Sequence, residues 1–292
     1  MHEKTDPEIS PNIFQNVFPQ LREIPQPPKK LYMRGTLPPP ETKFLTVVGS
    51  RRFSSYGKMA CEKIIAELEG YNISIVSGLA LGIDTIAHRA ALKANLHTIA
   101  IPGSGLDDEV IYPATNRNLA QDILKSGGAL ISEYEPDFKA TVWSFPRRNR
   151  IMAGISDAVL IIESQKKSGT QITARLALDY NKGLFAIPGS IFSEASDGTN
   201  LLIKQGAVPI TCGDDILDAL NIEKKVPENA DIETDDTLSD AEVKILIALA
   251  EPITKDELLR MALLPVEEIS ATLTVLEIKG HIQESGGKLF RK

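Results

Sequence analysis

Arg147, Arg148 and Arg150 bracket Asn149 in the segment FPRRNR, and no acidic residue lies between Lys139 and Ser156. With Lys139, four cationic side chains gather where nothing nearby in the chain neutralises them, which is the chemistry of a polyanion site. Further on, Ser168, Gly169 and Thr170 open a helix-like segment over Gln171 to Tyr180. Small residues at a helix N-terminus leave backbone N–H groups and the positive end of the helix dipole facing an anion. The structural alternative makes the arginines surface ion pairs and SerGlyThr only a capped turn.

Acid–base and metal chemistry find thinner support. Asp84 and His88 lie four apart on one predicted helix face, but no third ligand is nearby, so a helix-stabilising pair is the more natural reading. Glu133 and Glu163 each close a predicted strand and are candidate general bases, although carboxylates there also cap turns and pair with arginines. The glycine spacing of a Walker A loop is missing, and VVGSRRF at 47–53 does not meet the GxGxxG dinucleotide fingerprint. Cys61 and Cys212 stand alone, which argues against a disulfide framework or a structural zinc site and for small buried groups. No cofactor and no metal are expected.

The elements that must position these residues alternate. Predicted strands at 44–48, 73–76, 97–101, 129–132, 158–163 and 184–187 are separated by segments of helical spacing, such as 56–69 with Met59, Ile64, Ile65 and Leu68. This order calls for an α/β fold: a parallel sheet with helices on both faces and ligands at the carboxyl ends of the strands. The turn Gly49, Ser50, Arg51, Arg52 falls on that rim, as do the SerGlyThr loop and two copies of IPGS at 101–104 and 187–190. Each IPGS is followed by an asparagine, Asn116 or Asn200, so the two turns are expected to do similar work. Arg117 and Lys167 also reach the rim. Together with the rings of Phe53, Tyr112, Trp143 and Phe145, these cations suit a single strand whose bases stack while its backbone is tracked.

Flanking this core, residues 1–40 hold half of the 18 prolines and read as an extended arm, with a short edge strand at Leu31 to Met33 and a disordered start up to about Pro28. The core domain is placed at 41–220. Residues 221–237 form an acidic linker, and 238–292 read as three short helices and a hairpin turning at Gly286 and Gly287, a winged-helix module. Its last helix carries Glu267, Glu268 and Glu277 against Lys279, the wrong balance for phosphate, so protein contact is favoured there over DNA contact through Lys288, Arg291 and Lys292. The net charge of −7 does not exclude a nucleic-acid partner. Ten acidic residues against two lysines between Asp214 and Asp240 carry −8 by themselves, leaving +1 for the rest. With neither an apolar run long enough to span a bilayer nor a signal-like N-terminus, a cytoplasmic location is the expectation.

Taken in order, VVGSRRF, IVSGLALGIDTIAH, TIAIPGSGLD, FPRRNRIMAGISDAVLIIES, SGTQITARLAL and GTNLLIKQGA resemble the DNA-processing protein A family, DprA or Smf. The resemblance runs from about Phe18 to Ile210 and extends to that family's winged-helix domain. It implies an extended Rossmann-like domain without catalysis. Such a protein binds single-stranded DNA, forms a homodimer and helps load RecA recombinase onto the strand in natural transformation. Its DNA pocket would be lined by Gly49, Ser50 and Arg51 and by Arg147 to Arg150, with Ser168 to Thr170 and Lys204 alongside. A phosphoribohydrolase of the related lysine-decarboxylase-like group is the rival reading; the segment from Gly169 to Thr173 lacks the glutamate its phosphate turn needs.

Overall fold

A computed structural model of the chain describes residues 8–9, 17–224, 239–249, 253–261, 265–285 and 288–291. Two compact units divide the chain, Met1–Lys224 and Lys225–Lys292. Most of the expected linker and the hairpin turn at Gly286 and Gly287 lie outside the described residues.

In the first unit the strands are β1 (Glu8–Ile9), β2 (Leu31–Gly35), β3 (Lys43–Val48), β4 (Ile73–Ser77), β5 (His97–Ala100), β6 (Ala129–Ser132), β7 (Ala158–Ile161), β8 (Gly183–Ala186) and β9 (Val208–Pro209). They form one sheet in the order β1-β2-β6-β5-β4-β3-β7-β8-β9. From β6 to β9 every neighbouring pair is parallel, while β2 runs antiparallel to β6 and β1 antiparallel to β2. The parallel strands read as unbroken apolar runs because both faces are covered. Leu45 and Val47 of β3, with Leu160 of β7, pack on α1 (Ser55–Ala66) and α2 (Ile83–Lys93). Val48, Val159 and Ile161 face the other way, onto α4 (Ser144–Ile155) and α5 (Gly169–Asp179). The period of two along each strand delivers alternate side chains to the two layers.

Residues 17–40 differ from the expected extended arm. Phe18, Leu21 and Ile24, around a single 3-10 turn at Pro19–Arg22, are buried in the layer formed by Ile151, Met152 and Ile155. Burying side chains of this size stabilises by about 1.5–3 kcal/mol each, although a run this short among prolines gives a periodicity search nothing to find. The short edge strand expected near Leu31 is β2. Residues 1–16 lie outside the described residues apart from β1.

Helices α3 (Arg117–Lys125), α6 (Asp197–Lys204) and α7 (Gly213–Ala219) complete this unit. α1 starts at Ser54, whose Oγ accepts from the Gly57 N–H at 3.1 Å. Buried Glu163, just beyond β7, accepts from both the backbone N–H and the hydroxyl of Ser54. That carboxylate anchors a helix start, and the capping role weighed for it is the one observed.

The second unit has α8 (Asp240–Ala248), α9 (Lys255–Met261) and α10 (Val266–Ile278) around a three-stranded sheet ordered β10 (Ile253–Thr254), β12 (Lys288–Arg291), β11 (Ile282–Ser285). Its core is Ile245, Leu246, Leu258, Ile269, Leu273, Leu276 and Leu289. Ser239 with Glu242, and Thr254 with Glu257, form reciprocal caps at the starts of α8 and α9. Lys279, after α10, pairs with Glu242 at 2.8 Å.

Candidate nucleic-acid interface

Strand order reverses between β3 and β7: the chain proceeds from β3 outward through β4, β5 and β6, then returns to build β7, β8 and β9 on the other side. At such a switch point the loops leaving the two central strands diverge and leave a crevice at their carboxyl ends. A cavity of about 790 Å3 opens there, lined by Val48 to Arg52 after β3 and by Gln165 and Ser168 to Thr170 after β7.

One wall is the turn 49–52. Ser50 Oγ accepts from the Arg52 N–H at 3.0 Å and donates to the Arg52 carbonyl at 2.7 Å, so the turn is locked by its own side chain. The Arg51 guanidinium lies 5.5 Å from the centre of the Phe145 ring, and Phe145 in turn meets Tyr112 at 5.6 Å. Arg51 and Arg52 are both exposed, and among the described residues neither pairs with a carboxylate.

The opposite wall is the start of α5. No side chain caps it and no acidic residue occupies its first turn, which leaves the SerGlyThr amides and the positive helix end directed at the cavity. The loop before it is held by Ser164, whose Oγ meets Ser168 Oγ at 2.8 Å and Gln171 Nε2 at 2.9 Å. The capped-turn alternative for SerGlyThr does not hold.

Arg148 and Asp84 lie at the floor. Arg148 is buried and donates to the carbonyls of Gly78, at 2.6 Å, and Ile101. Asp84 accepts from the N–H groups of Gly78 at 3.1 Å and Ala80 at 3.4 Å. The pair therefore grips the loop after β4 from both sides and ties it to the end of β5. Gly78 must be a glycine because a Cβ there would run into the Arg148 guanidinium. Burial lowers the Arg148 pKa to about 10, with Asp84 opposing the shift, so Arg148 stays charged at neutral pH. Burial raises the Asp84 pKa, with Arg148 as the main opposing influence.

The remaining arginines of the FPRRNR run are placed otherwise than the sequence suggests. Like Arg148 they stand in α4, and the chain does neutralise them: Glu133, after β6, pairs with Arg150 and, at 3.1 Å, with Arg147 Nε. Arg150 is buried in this contact; its Nε and one terminal nitrogen have no hydrogen-bond partner among the described residues. Arg147 and Arg150 do not line the cavity, whereas Asn149 does. Glu133 is accordingly an ion-pair partner and not a free general base.

Four further expected residues also stand off the cavity lining. Arg117 turns back to donate to the carbonyls of Glu109 and Ile111. Lys139 and Lys167 are exposed outside the lining, and Lys204 ends α6, about 9 Å along the helix from Gly198 at its rim end. Among the lining residues missed by the sequence reading are Gln165 and Ala195, on the loops after β7 and β8, which extending each rim turn a few residues would have included, and Ala80, Val142, Ile172 and Thr173.

Two other expectations change. Asp84 and His88 do not pair; His88 Nδ1 meets Thr98 Oγ1 at 2.8 Å in the buried layer, and burial together with Arg148 lowers its pKa to about 3. Among the described residues no three potential ligands group for a metal. The two asparagines after IPGS also diverge. Asn200 clamps its own turn, bonding the Gly189 N–H and carbonyl, whereas Asn116 holds the neighbouring loop through the Leu79 and Ala80 carbonyls.

Comparison with known proteins shows the family and the fold. The model of the DNA recombination-mediator protein A family matches residues 12–221, and that of the DprA winged helix domain matches residues 229–288. Protein Smf of Escherichia coli is 37% identical over 281 residues, covering 94% of this chain and 74% of that protein. The DNA processing protein DprA of Streptococcus pneumoniae is 42% identical over 207 residues, 70% of this chain and 72% of that protein. The solved structure of DNA processing protein A from that organism superposes with a TM-score of 0.68 at 40% identity, covering 74% of each chain. A structure of the Helicobacter pylori protein, described for its single-stranded DNA binding mode, superposes with a TM-score of 0.62 at 36% identity, over 69% of this chain and 91% of that one. The chain belongs to the DNA recombination-mediator protein A family.

Proposed function

We propose that this protein holds single-stranded DNA in the rim cavity and hands it to RecA recombinase during recombination and natural transformation, as a homodimer and without a chemical step of its own. One observation carries the reading. Two exposed arginines without carboxylate partners and an uncapped helix start converge on an open cavity with an aromatic ring in its wall. Cations and amides take phosphate oxygens in any sequence, and a ring takes the face of any base, a combination that favours an unpaired strand. Duplex readout takes a helix or ribbon in the major groove, whereas the exposed cations offered here, Arg51 and Arg52, come from a turn. The single-stranded DNA binding of the Helicobacter pylori relative supports the same partner.

The absence of a chemical step is supported by the state of Asp84. It is the carboxylate that lines the cavity, and it is committed to two backbone amides and to Arg148. RecA handover and the homodimer rest on family membership. Titration with a single-stranded oligonucleotide, the same sequence as duplex, and a free nucleotide tests the core of the proposal. The single strand should bind most tightly, with affinity falling steeply as salt rises. Tighter binding of the free nucleotide would favour an enzymatic site instead.

A further inference from the structure

Beyond the cavity lining, the most exposed large apolar side chains among the described residues are Phe192 at 94% and Ile191 at 80%. Phe192 and Ile191 stand together on the turn after β8. Phe53, Tyr56 and Met59 add exposed apolar surface at the start of α1, the last two at the i, i+3 spacing that places them side by side. The Tyr56 hydroxyl donates to the Pro188 carbonyl, so the two groups adjoin. Exposed apolar side chains grouped on two adjoining segments mark an interaction site, unlike single exposed residues.

The turn that carries Phe192 is held by the fold. Asn200 fixes Gly189 at both its N–H and its carbonyl, and Ser190 accepts from the N–H groups of Phe192, at 3.2 Å, and Ser193, at 3.1 Å. The patch is also continuous with the cavity: Arg52 lines it and precedes Phe53, and Ala195 lines it and follows the Phe192 turn. Its charge discriminates between parts of a nucleotide. Exposed Glu194 beside Phe192 repels phosphate, while the ring accepts a base face.

We infer that a strand held in the cavity continues across this patch, its bases stacking on Phe192 and Tyr56 while Arg52 holds the phosphate where it leaves the cavity. The inference rests on the single-strand reading above and extends it to a second, base-directed subsite. β3 and β8 are two strand spacings apart, about 10 Å, which is about three nucleotides at the duplex phosphate spacing of about 3.4 Å. Strands too short to leave the cavity should therefore not reach the patch.

The test compares oligonucleotides of about 3 nucleotides, too short to span the distance to the patch, and about 15 nucleotides on the full chain. Phe192→Ala should weaken the longer one about 5- to 100-fold, leave the shorter one unchanged, and be rescued by Phe192→Trp. Tyr56→Leu should act in the same direction. Since Phe192 is nearly fully exposed, its removal leaves the fold intact. Arg51→Ala should weaken both lengths; if it weakens neither, the cavity reading fails and takes this inference with it. If Arg51→Ala acts as expected while Phe192→Ala leaves the longer oligonucleotide unaffected, the second subsite alone is overturned. Unchanged binding together with a shift in oligomeric state by light scattering would identify the patch as a contact between copies of the chain.

Discussion

Two sets of arginines stand near the same rim and behave as different materials. In the turn after β3, Arg51 and Arg52 face water without a carboxylate partner. In α4, Arg148 is bound to two carbonyls, and Arg147 and Arg150 share Glu133. The second set carries more positive charge, three arginines against two, yet its charges already serve the protein. A buried guanidinium requires partners, and once it has them it acts as a strut. An exposed one keeps its counterions until a phosphate displaces them.

The strongest way to break this comparison is Arg148→Ala. It strands Asp84 and two loop carbonyls in the interior, so we expect the first unit to lose about 3–5 kcal/mol of stability, read as a lower urea midpoint. A midpoint equal to that of the unaltered chain would show that Arg148 is as dispensable to the fold as a surface arginine.

The next effect is a pH dependence from the same buried layer. His88 has a pKa of about 3 folded against 6.5 unfolded, so the unfolded chain binds the extra proton between those values. Its contribution is present in full above pH 6.5 and is lost as pH falls toward 3. The loss by pH 5 should be about 2 kcal/mol, and His88→Gln should flatten that slope. A slope unchanged in His88→Gln would locate the titrating group elsewhere.

Arg51→Ala should behave oppositely to Arg148→Ala. Stability should stay within about 0.5 kcal/mol, while single-strand affinity falls and the slope of log affinity against log salt drops by about 0.7 for the lost contact. Smallest is Arg147→Ala, a half-exposed partner of Glu133, expected to cost up to about 1 kcal/mol in urea unfolding and to leave the salt slope alone. A salt slope lowered by Arg147→Ala as much as by Arg51→Ala would erase the distinction between the two sets.

The alternation of apolar runs with helical spacing was enough to predict six of the parallel strands, because a strand buried on both faces must be apolar throughout. β9 escaped, being two residues long and ending in Pro209, too short to show a period. The packing of Phe18, Leu21 and Ile24 escaped for a related reason: their spacing of three spans only one short 3-10 turn among prolines, too short a run to read as an amphipathic helix. Rim turns 49–52 and 168–170 were legible as lining the crevice from their position after strands and their small residues.

What the linear chain determined, then, is the sheet, its two covered faces and the turns at its carboxyl edge, since these follow from local periodicity and from the glycine and serine residues that follow several of the strands. Only the tertiary structure decided which charges are free. Glu133 reaches Arg150, and the Gly78 and Ile101 carbonyls reach Arg148, across long stretches of chain. The run FPRRNR carries no sign of those partners. Charge along a sequence is additive, but its availability depends on what the fold places within hydrogen-bonding distance.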